Sequence, residues 1–308
     1  MLFPLLSLPD LALEEIVKNF DHKEILFLTQ TSQKARRQIS KHKKSHSVEI
    51  KVTDFDVEIS CNNRKFFRIQ IKTWGREFNS SWRFKTLVPV QYQESTLTCF
   101  WRLEFTAFQE ILDFLKEIFQ IKEVSLKVIE ERSSWVAPIL EHCVSKNLKI
   151  GSVEWSPIKK NEEMVDRLLM ASRGASWLKI RGLQFAPIRF NHFHLFRVDQ
   201  LSILYAIWMT AENILALRNC KRLDLGFIRL NAVDMNRILR EYIKNPGNLQ
   251  EIRLTCYECL ELDEVVKDLK IVGIEGGDNP KYWFAGQNGI RISAMMESIR
   301  TLLITRET

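Results

Sequence analysis

The sequence predicts a protein of mixed α+β and α/β class. Three short N-terminal helices precede a repeating α/β region that has β-structure at both ends. The first 40 residues carry helical patterns with more apolar side chains than so small a unit can bury. Farther along, strand-like segments recur every 22–29 residues, with an amphipathic helix between most of them. The flanking segments are rich in β-branched and aromatic residues, which favour strands.

The N-terminal helices have clear start signals. Pro9 is tolerated in a first helical turn, because amide donors lack partners there anyway. The apolar residues that follow have the spacing of one helical face: Leu13, Ile16, Val17 and Phe20. Asp21 and Glu24 have the D-x-x-E form of a capping box and predict the start of a second helix. Residues 25–28 are all apolar, and no single helical face can hold all four. This surplus predicts a docking partner, either another part of the chain or another protein.

Several of these residues follow a pattern found in one known family. They are Leu8-Pro9, Leu13, Ile16, Phe20 to Leu26, Leu28, Thr31-Ser32 and Ile39. In this pattern the segment resembles an F-box, the helical module that attaches substrate receptors to the Skp-type adaptor of cullin–RING ubiquitin ligases. It resembles the nematode branch, in which a type 2 F-box-associated domain follows. Many F-boxes carry a tryptophan in helix three, where this chain has Ala35-Arg36-Arg37.

The resemblance implies an F-box at residues 1–46 and an associated, leucine-rich-repeat-like substrate-binding domain at residues 47–308. The chain would then be a non-catalytic substrate-recognition subunit of an SCF-type (Skp–cullin–F-box) E3 ubiquitin ligase. Its partners would be a Skp-family adaptor, a cullin held through that adaptor, and a protein substrate that the sequence does not name. We expect the adaptor to contact an apolar set: Leu6, Leu8, Pro9, Leu13, Ile16, Leu26 and Leu28. Some of this set must instead hold the three helices together.

The repeating region is defined by pairs of apolar residues at alternate positions, here called the anchors. They are Val124/Leu126, Val153/Trp155, Leu178/Ile180, Leu201/Ile203, Leu223/Leu225 and Ile252/Leu254. Helical apolar faces lie within residues 108–118, 136–144, 165–169, 214–217 and 235–243. One strand and one helix in every 20–29 residues is the period of a leucine-rich-repeat solenoid, in which stacked units share a core.

The sequence departs from that repeat at the position three after the second anchor, usually asparagine or cysteine. The residues there are Ile129, Ile158, Leu183, Ala206, Ile228 and Tyr257. We therefore expect a less regular, leucine-rich-repeat-like curved parallel sheet with helices outside, similar to a type 2 F-box-associated domain. An ordinary α/β domain without solenoid curvature is the alternative.

The ends of this region are predicted to be β-structure that caps the repeats. Strand patterns cover residues 48–60, 64–74 and 96–105, with a hairpin turn at Asn62-Asn63. Residues 269–297 are predicted to form strands separated by glycine- and asparagine-rich turns.

Substrate recognition is expected on the outward residues between the strand anchors. These are Lys127, Glu154, Lys179, Arg181, Asp224 and Arg253, with Ser125 and Ser202 beside them. Their mixed charge favours a protein surface or peptide over a polyanion.

Basic charge is concentrated in one short segment. Residues 34–44 hold six lysines and arginines, which account for all but one unit of the formal net charge of +7. The alternative function is therefore an interaction scaffold that binds nucleic acid or an anionic surface through this segment. The simplest interpretation of the basic segment is a solvated third helix, and nucleic acid is not the expected partner.

No enzymatic constellation is expected, and neither a metal nor a cofactor is predicted. Cys256 and Cys259 form a lone CxxC without a second ligand pair, and His192 and His194 could line a strand without a third ligand. The six cysteines are too scattered for a disulfide scaffold, so we expect a reducing compartment, cytoplasmic or nuclear. No apolar run is long enough to span a membrane, and the start lacks the basic region of a secretory signal.

Overall fold

The computed structural model describes residues 8–73, 80–129, 135–156, 162–181, 190–277 and 279–307. The chain forms two compact units. Unit 1 consists of residues 1–128 and 134–151, and unit 2 of residues 129–133 and 152–308. The predicted domain boundary at residue 46 lies inside unit 1.

Unit 1 combines five helices with a mixed sheet within the described residues. The helices are α1 (Asp10–Lys18), α2 (His22–Thr31), α3 (Gln33–Lys41), α4 (Glu104–Ile118) and α5 (Val136–Ser145). The strands are β1 (Ser47–Thr53), β2 (Asp56–Cys61), β3 (Arg64–Lys72), β4 (Ser80–Arg83), β5 (Leu87–Gln93), β6 (Thr96–Phe100) and β7 (Gln120–Val128). Their order is β7-β1-β2-β3-β6-β5-β4, in which β1–β7 and β3–β6 are parallel pairs.

The predicted helix starts in unit 1 are confirmed. Asp21 and Glu24 form the capping box of α2, since each side chain accepts the other residue's amide, at 2.7 and 2.8 Å. Pro9 is the residue that caps α1 rather than part of its first turn. Ser32 caps α3 by accepting the amide of Ala35 at 3.0 Å.

The predicted hairpin turn is also confirmed. Asn62 and Asn63 both have positive φ, 51° and 62°, and they join the paired residues Cys61 and Arg64. A two-residue turn of this kind matches the right-handed twist of its strands, and asparagine tolerates the backbone it needs. The strand predicted over residues 96–105 is too long, because β6 ends at Phe100 and the amphipathic pattern of α4 begins soon after.

Unit 2 contains five parallel strands followed by an antiparallel set. The parallel strands are β8 (Ile150–Trp155, of which residues 152–155 belong to unit 2), β9 (Trp177–Ile180), β10 (Gln200–Ile203), β11 (Arg222–Ile228) and β12 (Glu251–Cys256). The antiparallel strands are β13 (Ile271–Glu275), β14 (Lys281–Ala285), β15 (Arg291–Ser298) and β16 (Thr301–Arg306). The helices are α6 (Glu162–Ser172), α7 (Ala211–Ala216), α8 (Ala232–Lys244) and α9 (Leu262–Val265). β16 pairs with β12, and the order continues β15-β14-β13.

The strand anchors predicted from sequence are all buried strand residues, with at most 1% exposure. In unit 2 they lie level across the sheet. Leu201 pairs with Leu178 on one side and Leu223 on the other, and Ile203 is flanked in the same way. Because equivalent residues align, each strand adds one apolar row to a shared core.

At the carboxyl ends of these strands, backbone groups form hydrogen bonds with one another. The positions that carry asparagine or cysteine in a leucine-rich repeat hold other residues here. The amide of Leu204 donates to the carbonyl of Ile180 at 3.0 Å, and that of Ala206 donates to Gly226 at 2.8 Å. Gly226 is required here, because a Cβ would lie 2.4 Å from the Leu204 carbonyl oxygen. Ile158 and Leu183 lie outside the described residues.

Candidate docking surfaces

The helix α1 has one face in the protein and one in solvent. Leu13 and Val17 are four residues apart, lie on one side, and are 1% and 0% exposed. Leu11 lies on the opposite side and is 79% exposed, although it is a large apolar residue. On the polar side, Lys18 pairs with Glu14 and Glu15 at 3.2 and 2.8 Å. These carboxylates raise the pKa of Lys18.

The helix α2 is packed into unit 1 through aromatic side chains. The ring of Phe27 contacts three others edge-on, with centroids 4.9 Å from Tyr92, 5.4 Å from Trp82 and 6.3 Å from Phe67. Gln30 accepts the amide of Arg83 at 2.8 Å and donates to the same residue's carbonyl at 3.4 Å. Part of the surplus apolar surface of the N-terminal helices is therefore covered by the chain's own β3–β5.

The predicted adaptor-contact residues divide by burial. Leu13 and Leu26 are buried, at 1% and 0% exposure, and belong to the core of unit 1. The others in the described region keep contact with solvent: Leu8, Ile16 and Leu28 are half-buried and Pro9 is exposed. Leu6 lies outside the described residues. The name F-box apolar set is used here for five residues: Leu8, Pro9, Leu11, Ile16 and Leu28.

Leu11 was missed by the sequence reasoning, which followed the inward face of helix one. The available signal was its position, because Leu11 falls on the side of the helix opposite Leu13 and Val17, which face the core of unit 1. A single exposed apolar residue is ordinary on a protein surface, so Leu11 is a candidate contact because it lies beside Leu8 and Pro9.

Two imidazoles tie the helices together where α1, α2 and β1 meet. The rings of His22 and His46 lie 5.4 Å apart, and Nε2 of His46 lies 2.9 Å from the carbonyl oxygen of Val17. Burial lowers the pKa of both residues below the usual 6.5, and repulsion from His46 lowers the pKa of His22 further. The rings are therefore held in the neutral state as part of the packing.

The basic segment at residues 34–44 is divided between two roles. Arg36 of α3 forms an ion pair with Glu117 of α4 at 2.8 Å, and Lys43, in the 3-10 turn after α3, donates to the carbonyl of Lys116 of α4 at 3.3 Å. The remaining basic side chains are exposed: Lys34, Arg37, Lys41 and Lys44. Only part of the predicted cluster thus faces solvent.

The predicted substrate residues of unit 2 are brought together on one side of the sheet. They lie opposite one another on successive strands, on the face that the anchors do not use, in the row Glu154, Lys179, Ser202, Asp224 and Arg253. Arg181 reaches Glu154 at 2.6 Å, at the carboxyl end of β9. Lys127 lies in β7 of unit 1. We call the unit 2 residues the polar face.

Charges on the polar face are largely matched. The hydroxyl of Ser202 donates to Asp224 at 3.2 Å, and Arg253 pairs with Glu297 of β15 at 3.1 Å. Glu154 is only 7% exposed, so its carboxylate serves Arg181 more than solvent. Such a mosaic suits a polar protein surface.

Catalytic and metal chemistry finds little support in the described part of the chain. It holds no cluster of three or more metal-ligating side chains. Burial raises the pKa of Cys256 to about 12, which keeps this CxxC thiol protonated, while Cys259 is exposed. His192 precedes a 3-10 turn at Phe193–Leu195 and His194 lies inside it, so the predicted strand there is wrong. None of the described helices is long and apolar enough to cross a membrane.

Comparison with known proteins identifies the N-terminal module. Residues 5–47 match the F-box domain family. The Skn-1 dependent zygotic transcript 15 protein of Caenorhabditis elegans is 23% identical over 297 residues, covering 89% of this chain and 85% of that protein. The uncharacterized protein F54H12.5 of the same organism is 22% identical over 288 residues, covering 87% and 78%. No solved structure matches the chain.

An F-box domain supports the role of an SCF-type substrate adaptor in general, and it implies binding to a Skp-family adaptor and through it to a cullin. Proteins of this kind are typically non-catalytic subunits. The helices α1–α3, with their capping box and outward Leu11, are this domain. The chain therefore carries an F-box domain at residues 5–47, and a mixed α/β region with a large sheet follows it.

Proposed function

We propose that this protein is the substrate-recognition subunit of an SCF-type ubiquitin ligase. The F-box apolar set docks on a Skp-family adaptor, and the polar face of unit 2 holds a protein substrate. The subunit does no chemistry of its own. It raises the local concentration of substrate lysines near the ubiquitin-charged enzyme. The proposed location is cytoplasmic or nuclear.

The observation that carries the proposal is the F-box match at residues 5–47 together with the exposed Leu11 on α1. A protein interface is dominated by a few apolar anchors that become fully buried on binding. Leu8 and Pro9 directly precede α1 and Leu11 lies in its first turn; Pro9 and Leu11 are exposed, and Leu8 is half-buried.

The aligned anchors of unit 2 support a leucine-rich-repeat-like architecture for the substrate region. Each parallel strand contributes one apolar pair to the core and leaves the intervening residue on the polar face. In an architecture of this type, neighbouring repeats supply one continuous recognition surface. The polar face would then read several residues of a substrate at once.

The test is capture of a purified Skp-family adaptor by the full chain and by point variants. Deleting residues 1–46 is unsuitable, because it would expose Phe67 and Trp82. Leu11→Asp should keep the fold, since its side chain is already in solvent, and should weaken adaptor binding about thirtyfold or more. Leu103→Asp is the matched control, because Leu103 is 66% exposed in the same unit but lies outside the F-box.

Equal capture of the adaptor by folded Leu11→Asp and Leu103→Asp would refute the docking proposal. Leu26→Asp is not informative, because Leu26 is fully buried and its substitution would unfold α2.

A further inference from the structure

We propose that β13, the edge strand of unit 2, binds an extended apolar segment of a partner polypeptide as one more strand of the sheet. This inference goes beyond the proposed function, because β13 belongs neither to the F-box apolar set nor to the polar face. Sequence reasoning treated this part of the chain only as a cap.

One side of β13 has no strand beside it. On its other side Ile271–Glu275 pairs antiparallel with β14, and β13 is the last strand in the order. No loop or turn of the described chain forms a backbone hydrogen bond with β13. Alternate residues of a strand point their N–H and C=O groups to opposite sides, so about two or three residues of β13 point them away from β14. The partner that matches these groups is the backbone of another strand.

The side chains of β13 are apolar and exposed. Ile271, Val272 and Ile274 are 38%, 52% and 60% exposed. Charged residues stand only at the two ends, where Lys270 precedes the strand and Glu275 is its last residue. Natural edge strands are commonly protected from pairing by charged side chains, by proline or by a covering element. β13 instead combines an unpaired edge with exposed β-branched residues, which favour strand pairing.

The edge strand of unit 1, β4, shows how this chain protects an edge. Gln30 of α2 accepts the amide of Arg83 at 2.8 Å and donates to its carbonyl at 3.4 Å, and Arg36 of α3 donates to the same carbonyl at 2.9 Å. These side chains take the main-chain positions that an added strand would need. No side chain of the described residues bonds the main chain of β13 in this way. The edge of unit 2 is therefore open where that of unit 1 is closed.

The size of the edge argues for a peptide segment rather than a second copy of the chain. Five residues make β13 about 17 Å long, and an edge about 10 Å thick then offers roughly 170 Å². A stable specific interface buries about 800 Å² on each partner, so a dimer held through this edge alone would be far too small. An extended segment is favoured, because main-chain hydrogen bonds supply its affinity and side chains at alternate positions supply its specificity.

The experiment measures binding of a labelled peptide of alternating valine and threonine, with a lysine at each end, to the full chain by fluorescence anisotropy. The double variant V272K/I274K should weaken binding about tenfold or more, because lysines on an edge oppose strand addition. The matched control is V233K/I299K, which adds the same charge to the same residue types at positions 77% and 70% exposed in the same unit. Thermal unfolding of each variant checks the fold.

A second probe tests the main-chain hydrogen bonds directly. It is the same peptide with its central backbone amides N-methylated, which keeps every side chain and removes the donors. This peptide should bind the unmodified chain at least about tenfold more weakly than the first.

Three results would overturn the proposal. The first is equal weakening of peptide binding by both double variants, and the second is equal binding of the N-methylated and unmodified peptides. The third is a dimer of the chain, measured by sedimentation, that V272K/I274K abolishes and V233K/I299K leaves intact. That result would assign the edge to a second copy of the chain instead of a peptide segment.

Discussion

Phe27→Ala is expected to destabilise unit 1 as a whole rather than only the F-box helices. Phe27 makes three edge-on ring contacts to β3, β4 and β5, with centroids 4.9–6.3 Å away. Such contacts contribute about 0.5–1.5 kcal/mol each beyond burial. Truncating a fully buried phenylalanine costs about 3–5 kcal/mol. Because Phe27 is half-buried, the expected loss in free energy of unfolding is about 2–3 kcal/mol.

The assay is urea unfolding of the full chain, monitored by far-UV circular dichroism. The slope of the unfolding free energy against urea concentration is compared between variants to confirm that the unfolding unit is unchanged. Phe55→Ala is the control, since Phe55 is 45% exposed in the same unit and should cost about 1 kcal/mol or less. If Phe27→Ala were no more destabilising than Phe55→Ala, the F-box helices would not depend on the strands beneath them, and this reasoning would fail.

Three further outcomes are expected. The fold lowers the pKa values of His22 and His46, so their contribution to stability is fully present above about pH 6.5 and is lost as the pH falls through the lowered values. The unfolding temperature should therefore drop between about pH 7.5 and 5.5. The drop should be smaller in His46→Gln. Asp21→Ala should cost about 1 kcal/mol by removing the α2 cap, and an unchanged urea midpoint would contradict this. Gly226→Ala should cost about 1–3 kcal/mol, whereas Gly174→Ala, with open space at its Cβ, should cost far less in the same titration.

Local signals were enough to locate most elements. The capping box at Asp21, the paired asparagines at 62–63 and the alternating anchors all concern residues close in sequence, and each is confirmed. β4 and β5 were missed, because β4 is short and polar and β5 contains Pro89, so neither has a clean alternating pattern. β16 was missed as well, although Leu302 and Ile304 are fully buried strand residues in it.

The candidate site was predicted less completely than the fold. The row from Glu154 to Arg253 follows from strand alternation alone, so the sequence places it correctly on one side of the unit 2 sheet. The contact of Arg291 with the ring of Trp283 could not be predicted this way, because the two residues meet only through the pairing of β14 with β15. Pairing partners far apart in sequence are not encoded in any local pattern.

By itself the sequence determined the caps, turns and strand anchors and carried the resemblance of the N-terminal helices to an F-box, because these signals are properties of neighbouring residues. Only the tertiary structure decided which F-box leucines are core and which remain open to a partner. Leu26 is covered, with no exposure, while Leu11 stays in solvent. The physical reason is that burial depends on what β3–β5 of unit 1 bring against α2, and no pattern within the helices specifies that contact.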